Sequence, residues 1–311
     1  MKKSILAAAV SVMMLGTAHA ETIGVSMALY DDNFLTVIRN GMQKYVAGLD
    51  NVTLQIEDAQ NDVSKQQNQI QNFVAAGVDA IIVNPVDTDA TVALTKLAED
   101  AGIPLVYVNR QPVNVDTLPA NQAFVASNEV ESGTLQTKEI CRLLGGKGKA
   151  VVIMGELSNQ AARQRTQDIK DVIATDECKG MTIVEEQTAN WQRTQAQDLM
   201  TNWITAGVEF DAVIANADEM AMGALQALKA AGRDLDTVVI GGIDGSQDVL
   251  AAMKAGEIEV TVFQDAFGQG AGAVDTALKI VRKQPFEQKT YIPFQLITPA
   301  NMNDFLDKNA D

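Results

Sequence analysis

The sequence predicts an α/β protein made of two doubly wound lobes, each built on a parallel sheet. Three observations carry that prediction. Short β-branched runs alternate with amphipathic segments of helical length, the runs are apolar nearly throughout, and several helical segments stop at Gly77, Gly102, Gly207, Gly232 and Gly256. Short apolar strands separated by helices of 10–15 residues form βαβ units, whose parallel strands are buried on both faces. Glycine is the residue expected just past a helix C-terminus, where the chain turns left-handed.

The first series of strands is expected at 22–27, 52–58, 80–83, 105–108 and 123–126. A second series follows at 150–153, 181–187, 212–215, 238–243, 258–263 and 291–293. Between them, 34–47 places Phe34, Val37, Ile38, Met42 and Val46 on one helical face. The stretches 64–76, 90–101, 130–144, 160–174, 194–206, 220–231 and 247–255 behave alike, and Trp203 sits at core spacing from Leu199. A late helix at 266–281 is free to cross back to the first lobe. The series divides near Ser127 with no low-complexity linker, which fits lobes joined by several short crossings. The expected lobes are 21–127 with 265–297, and 128–264 with 298–311.

Residues 1–20 read as an export leader. Lys2 and Lys3 precede an apolar stretch from Ile5 to Gly16, and Ala18-His19-Ala20 is a small-x-small cleavage site. The stretch is shorter than the ~20 residues that span a bilayer. Cleavage after Ala20 gives a soluble periplasmic chain and takes the formal charge from −16 to −18 by removing two lysines. It also removes His19, the only histidine. Without histidine a Ser-His-Asp or Cys-His nucleophile is excluded, as is a histidine-based zinc site. The acidity repels phosphate backbones, so no nucleic-acid partner is expected. Cys141 and Cys178 allow one disulfide or two buried thiols, and sequence alone leaves both open.

Ligands of open α/β sheets bind beyond the carboxyl ends of the strands. The polar residues there are Asp31, Asp32 and Asn33 with Phe34, then Asn109-Arg110-Gln111-Pro112, and the stretch from Glu156 to Arg165. Asn190-Trp191, Asn216 to Glu219, Asp244-Gly245-Ser246 and Gln264-Asp265 complete the set. Carboxylates, amides and guanidinium groups suit the hydroxyls of a polyol through charge-assisted bonds, and rings suit its C–H faces. The alternative reading of Asp32, Asp218 and Asp244 is a helix N-cap, and it is the favoured one for Asp218 alone. Gly145-Gly146-Lys147-Gly148 follows a helix and precedes a strand, the wrong order for a phosphate loop. No catalytic residues, metal ligands or cofactor are expected. An acid–base pair of Asp31 and Asp32 is disfavoured because adjacent side chains at a strand end diverge.

Taken together, these residues resemble the periplasmic monosaccharide-binding proteins of ABC importers, the group of the ribose and galactose/glucose receptors. The likeness spans nearly all of residues 21–311. It is carried by Tyr30-Asp31-Asp32-Asn33-Phe34, Gln60-Asn61-Asp62, Trp191 with Gln195-Ala196, and Val213 to Asn216 with Asp218 to Ala224. The resemblance implies the type I binding-protein fold with three hinge crossings, near Ser127-Asn128, Gln264-Asp265 and Ile297-Thr298. It implies that Asp32 and Asn109 hold hydroxyls from the first lobe, Arg165 and Asp244 from the second, and that Phe34 and Trp191 sandwich the ring. Arg110 and Gln264 match the ribose receptor's pattern. Asn159 and Ala161 stand where the galactose receptor has a His-x-Asp pair, Ala217 replaces an Asn, and the calcium loop has no counterpart between Leu144 and Lys149. These departures disfavour glucose or galactose, while Asn109-Arg110-Gln111-Pro112, Gly155 to Gln160 and Val262 to Asp265 look like receptors for myo-inositol, with another hexose or a pentose as the alternative. Implied partners are a sugar or cyclitol, the importer's permease and a chemoreceptor reading the closed form, with the receptor itself a monomer. A LacI-type regulator shares the two lobes, but the leader occupies the place of its helix-turn-helix.

Overall fold

A computed structural model describes residues 20–309. The expected leader thus lies outside the described residues save for Ala20. The first lobe opens with β1 (Glu21–Met27), α1 (Asn33–Val46), β2 (Val52–Asp58), α2 (Val63–Ala76) and β3 (Ala80–Val83). It continues through α3 (Thr91–Ala101), β4 (Leu105–Val108) and β5 (Gln122–Ala126). The second lobe runs α4 (Glu129–Leu143), β6 (Lys147–Met154), α5 (Gln160–Ile173), β7 (Gly180–Thr188), α6 (Arg193–Thr205) and β8 (Ala212–Ala215). Then come α7 (Asp218–Ala230), β9 (Val239–Gly241), α8 (Gln247–Lys254) and β10 (Thr261–Phe263). The chain returns to the first lobe for α9 (Ala266–Val281) and β11 (Lys289–Tyr291), and β12 (Gln295–Ile297) ends the series.

The first sheet has the order β11-β5-β4-β3-β1-β2, parallel throughout. Alternate strand residues leave its two faces, as the pleat demands. Ile82, Val106, Val108 and Val125 join α1 and α9 on one side, and Ile81, Val83, Leu105, Tyr107 and Phe124 meet α2 and α3 on the other. The second sheet, β7-β6-β8-β9, is also parallel. Val151, Ile153, Val213 and Ala215 pack with Trp203, while Ala150, Val152, Ala212 and Ile214 pack beneath Ile140 and Ile169. The predicted fold class is therefore the observed one.

The third crossing is corrected. Residues 295–297, expected in the first lobe, form β12 and pair antiparallel with β10 of the second. Ile292 still donates to the Ala126 carbonyl in the first lobe, whereas Phe294 is buried against Ile243 and Val262. The chain therefore changes lobes at Pro293, which has no N–H to extend either ladder. Two three-residue strands flanking a proline leave too short a pattern to separate by periodicity.

Cys141 of α4 and Cys178 before β7 form a disulfide with Cα atoms 5.8 Å apart and a sequence separation of 37. Closing a loop of that length restricts the unfolded chain by about 3–4 kcal/mol. Reduction is expected to lower the urea midpoint accordingly; an unchanged midpoint with dithiothreitol would assign the bridge no stabilising role.

Candidate ligand-binding site

The carboxyl ends of both sheets face one cavity of about 500 Å³, counting its open mouth. The loop after β1 brings Asp32 and Phe34, and the loop after β4 brings Asn109 and Arg110. From the second lobe come Asn159, which precedes α5, and Arg165 in the second turn of that helix, with Trp191 after β7 and Ala217 after β8. Asp244 follows β9 and Gln264 follows β10. All ten residues singled out in the sequence thus line the same space, joined by Leu35, Glu129, Ala161 and Glu219.

The hydrogen bonds distinguish their duties. Asp32 caps α1 by accepting from the Leu35 N–H at 2.9 Å while also facing the cavity, so both readings of it hold. Asp244 is not a cap, because Ser246 takes that place on α8. Asp218 is fully buried beside the cavity and accepts from Ser246 N–H and the Thr261 hydroxyl, both at 2.7 Å, bracing the loop that carries Asp244. Burial raises its carboxyl to about 6, with the Ser246 and Thr261 bonds opposing.

Arg165 is tied down more completely than its sequence role suggested. Its Nε and Nη2 donate to Glu129 at 2.7 and 2.9 Å, and Nη1 donates to the Asn216 carbonyl at 2.7 Å. Both partners of this pair are 4% exposed. Burial disfavours the guanidinium charge, and the Glu129 carboxylate more than restores it. Glu129 is the residue the sequence did not reveal. As the first acidic residue of α4 it reads as a complement to the helix dipole. Only its place directly after the Ser127-Asn128 crossing pointed to the cleft.

Asn159 is fully buried and acts as a tie: its Nδ2 donates to the Val86 carbonyl of the first lobe at 3.0 Å, and its Oδ1 accepts from Trp191 Nε1 at 3.0 Å. A second network links Asn109 Nδ2 to Gln264 Oε1 at 3.0 Å, and Gln264 Nε2 to Asp244 Oδ1 at 3.3 Å. Asp244 is 7% exposed. Burial pushes its carboxyl well above the usual range, with Asp218, Asp32 and Glu129 acting in the same sense and Arg165 opposing. Three lining residues other than glycine hold positive φ: Asn109 at 66°, Trp191 at 66° and Asp244 at 138°. Such backbone strain, of order 1–3 kcal/mol per residue, persists where surrounding structure enforces it, commonly at binding sites.

The Trp191 ring lies directly over Gly155, where any Cβ would overlap it. Gly155→Ala is expected to tilt the ring, break its bond to Asn159 and weaken ligand binding about tenfold or more, since a mispositioned aromatic wall loses its contact area. Tryptophan fluorescence and titration calorimetry together check this; native affinity in the variant would mean that the ring is not part of the ligand's wall.

The lobes meet through a row of bonds on either side of the cavity. The Thr88 N–H and hydroxyl both reach the Ser158 carbonyl, Arg163 pairs with Asp89 at 2.9 Å, Asn61 reaches Glu156, and Asn33 Nδ2 donates to Glu219 at 2.8 Å. A polar cavity shut by contacts between two lobes is the geometry of a clamp, and that defines the class as a solute receptor. The chain belongs to the periplasmic binding protein family, whose domain matches residues 23–285. Membership of the family implies export to the periplasm. It is 70% identical over 309 residues to a putative rhizopine-binding protein of Rhizobium meliloti, covering 99% of this chain and 100% of that one. An ABC transporter solute-binding protein of Bacillus halodurans with bound myo-inositol superposes with a TM-score of 0.87 at 40% identity, covering 94% and 99%. The Caulobacter myo-inositol-binding protein bound to myo-inositol gives 0.86 at 27%, covering 94% and 97%.

Proposed function

We propose that this receptor captures a cyclic polyol of the inositol class between its lobes and presents it, closed, to the importer's permease. The observation that carries the reading is the convergence of ten residues beyond the strand ends of both lobes on one cavity. The choice of ligand is supported by the myo-inositol bound to the Bacillus protein and by the rhizopine, an inositol derivative, of the Rhizobium relative. Phe34 and Trp191 cover the apolar ring faces, and Asp32, Asn109, Arg110, Arg165, Asp244 and Gln264 bond hydroxyls. Asn159 and Ala217 shape the wall. The lobes, 21–127 with 265–292 and 128–264 with 294–311, rotate about crossings near Ser127, Gln264 and Pro293, and closure expels water. The receptor acts as a monomer without cofactor or chemistry of its own, after cleavage following Ala20, and its closed form is also what a chemoreceptor would read.

A thermal-shift screen with inositols, hexoses and pentoses tests the reading. A ligand that binds only the folded state raises its stability by RT ln(1 + [L]/Kd), ~2.7 kcal/mol at a hundredfold excess over Kd. The largest shift is expected with an inositol. A ribose or hexose shift exceeding every inositol would replace the cyclitol with that sugar.

A further inference from the structure

We propose that Thr88 of the first lobe is a positioning residue that clips the start of α5 in the second, and so sets how long the closed receptor holds its ligand. The inference rests on the closing motion proposed above and gives that motion a residue outside the cavity lining.

The Thr88 side chain is fully buried, and its bonds run across the cleft. Its Oγ1 donates to the Ser158 carbonyl and accepts from the Gln160 N–H, at 3.0 Å each. Its own N–H reaches the same carbonyl at 3.1 Å. Among the described residues, both bonds of the hydroxyl therefore end in the second lobe. Gln160 is the first residue of α5, and its N–H is one of the donors that a helix leaves open at its N-terminus. Asn159, in the N-cap position, makes no capping bond with its side chain. That side chain is taken by the Val86 carbonyl and by Trp191. Thr88 thus supplies from one lobe the cap that the other lobe leaves vacant.

Each side of the clip is tied to one wall of the cavity. On the second lobe, α5 carries Arg165, and Asn159 holds the Trp191 ring. On the first, the loop is braced from within its own lobe. The Val86 N–H donates to Gln66 Oε1 at 2.9 Å, the Pro85 carbonyl accepts from Arg110 Nη1 at 3.0 Å, and the Thr88 carbonyl accepts from Thr91 Oγ1 at 2.8 Å. A loop fixed in this way has little freedom left to lose on docking, so its bonds favour closure with little offset. The neighbouring Arg163–Asp89 pair is 40% and 59% exposed, where solvent leaves an ion pair little effect. In the open receptor water can serve the Gln160 N–H. In the closed one only the Thr88 hydroxyl accepts from it, so removing that hydroxyl penalises the closed form alone.

Thr88→Val keeps the branched shape and removes the hydroxyl. Stopped-flow tryptophan fluorescence is expected to show myo-inositol leaving this variant about tenfold faster than the wild type. Its association rate should be nearly unchanged, because the clip forms after the ligand has docked. Thr88→Ser, which keeps the hydroxyl, should restore slow release. The urea midpoint of the ligand-free protein should be the same in all three. A midpoint that falls in Thr88→Val would assign the hydroxyl to the fold and overturn the clip. Unchanged release in Thr88→Val, or release from Thr88→Ser as fast as from Thr88→Val, overturns it as well. Small-angle scattering of the wild type with and without myo-inositol separates this from the motion it rests on. No contraction on binding removes the closing motion and the clip with it, whereas contraction with unchanged release overturns the clip alone. D-ribose takes the place of myo-inositol in every arm if myo-inositol does not bind.

Discussion

Arg165→Ala is expected to lower folding stability by about 3–5 kcal/mol and to cut ligand affinity by about 2 kcal/mol or more. The larger loss is structural. Glu129 is 4% exposed and its two oxygens receive Arg165 and Ser132, so truncating the guanidinium leaves a buried carboxylate with one hydroxyl donor. The Asn216 carbonyl loses its donor at the same time, at the end of the strand that supports Ala217 and Asp218. The two losses separate by a second change. Replacing the pair together, Arg165→Met with Glu129→Leu, removes both charges and should recover most of the folding stability, because apolar pairs of similar volume substitute well for buried ion pairs. It should not recover binding, since both charged groups leave the cavity wall. Urea unfolding and calorimetry on the single and double variants provide the check. A double variant that binds like the wild type would limit Arg165 to a scaffolding role.

How much of this could be read from sequence differs between fold and site, for physical reasons. Strands such as Ala80–Val83, Leu105–Val108 and Ala212–Ala215 fall where their apolar runs ended, because helices on both faces force every residue of a central strand inward. The segment Tyr291 to Ile297 misled, because two strands of three residues belong to different sheets and share no periodicity. Site positions were legible for a topological reason: the carboxyl ends of parallel strands all point the same way. Duties were not. Asn159 and Asn109 are both asparagines at strand ends, yet one ties Trp191 to Val86 and the other anchors Gln264. Those assignments depend on which loops meet across the cleft, and local sequence holds no record of that.

Asp244→Gly is expected to make the ligand-free protein more stable by about 1–3 kcal/mol while weakening ligand binding by about 2 kcal/mol or more. Two unfavourable features disappear together. The backbone at Asp244 holds φ at 138°, which glycine adopts without strain, and the buried carboxylate that lacks a countercharge is gone. The pH dependence separates the two. Burial raises the Asp244 carboxyl in the folded state, so between its unfolded and folded pKa the native protein holds a proton that the unfolded chain has released. That contribution favours the native state at low pH and is lost as pH rises through the folded value. The stability gap between variant and wild type should therefore widen with rising pH. Asp218, Asp32, Glu129 and Arg165, the charged groups acting on Asp244, remain in both proteins. Asp244→Asn removes the charge and keeps the strained backbone, so it should show the pH effect with a smaller gain in stability. A gap that is flat with pH would assign the whole effect to the backbone. A less stable glycine variant would mean that the Gln264 bond outweighs both. An unmatched charge on a residue lining the cavity is what a ligand relieves on binding, so the carboxylate that weakens the ligand-free receptor favours closure around a suitable guest.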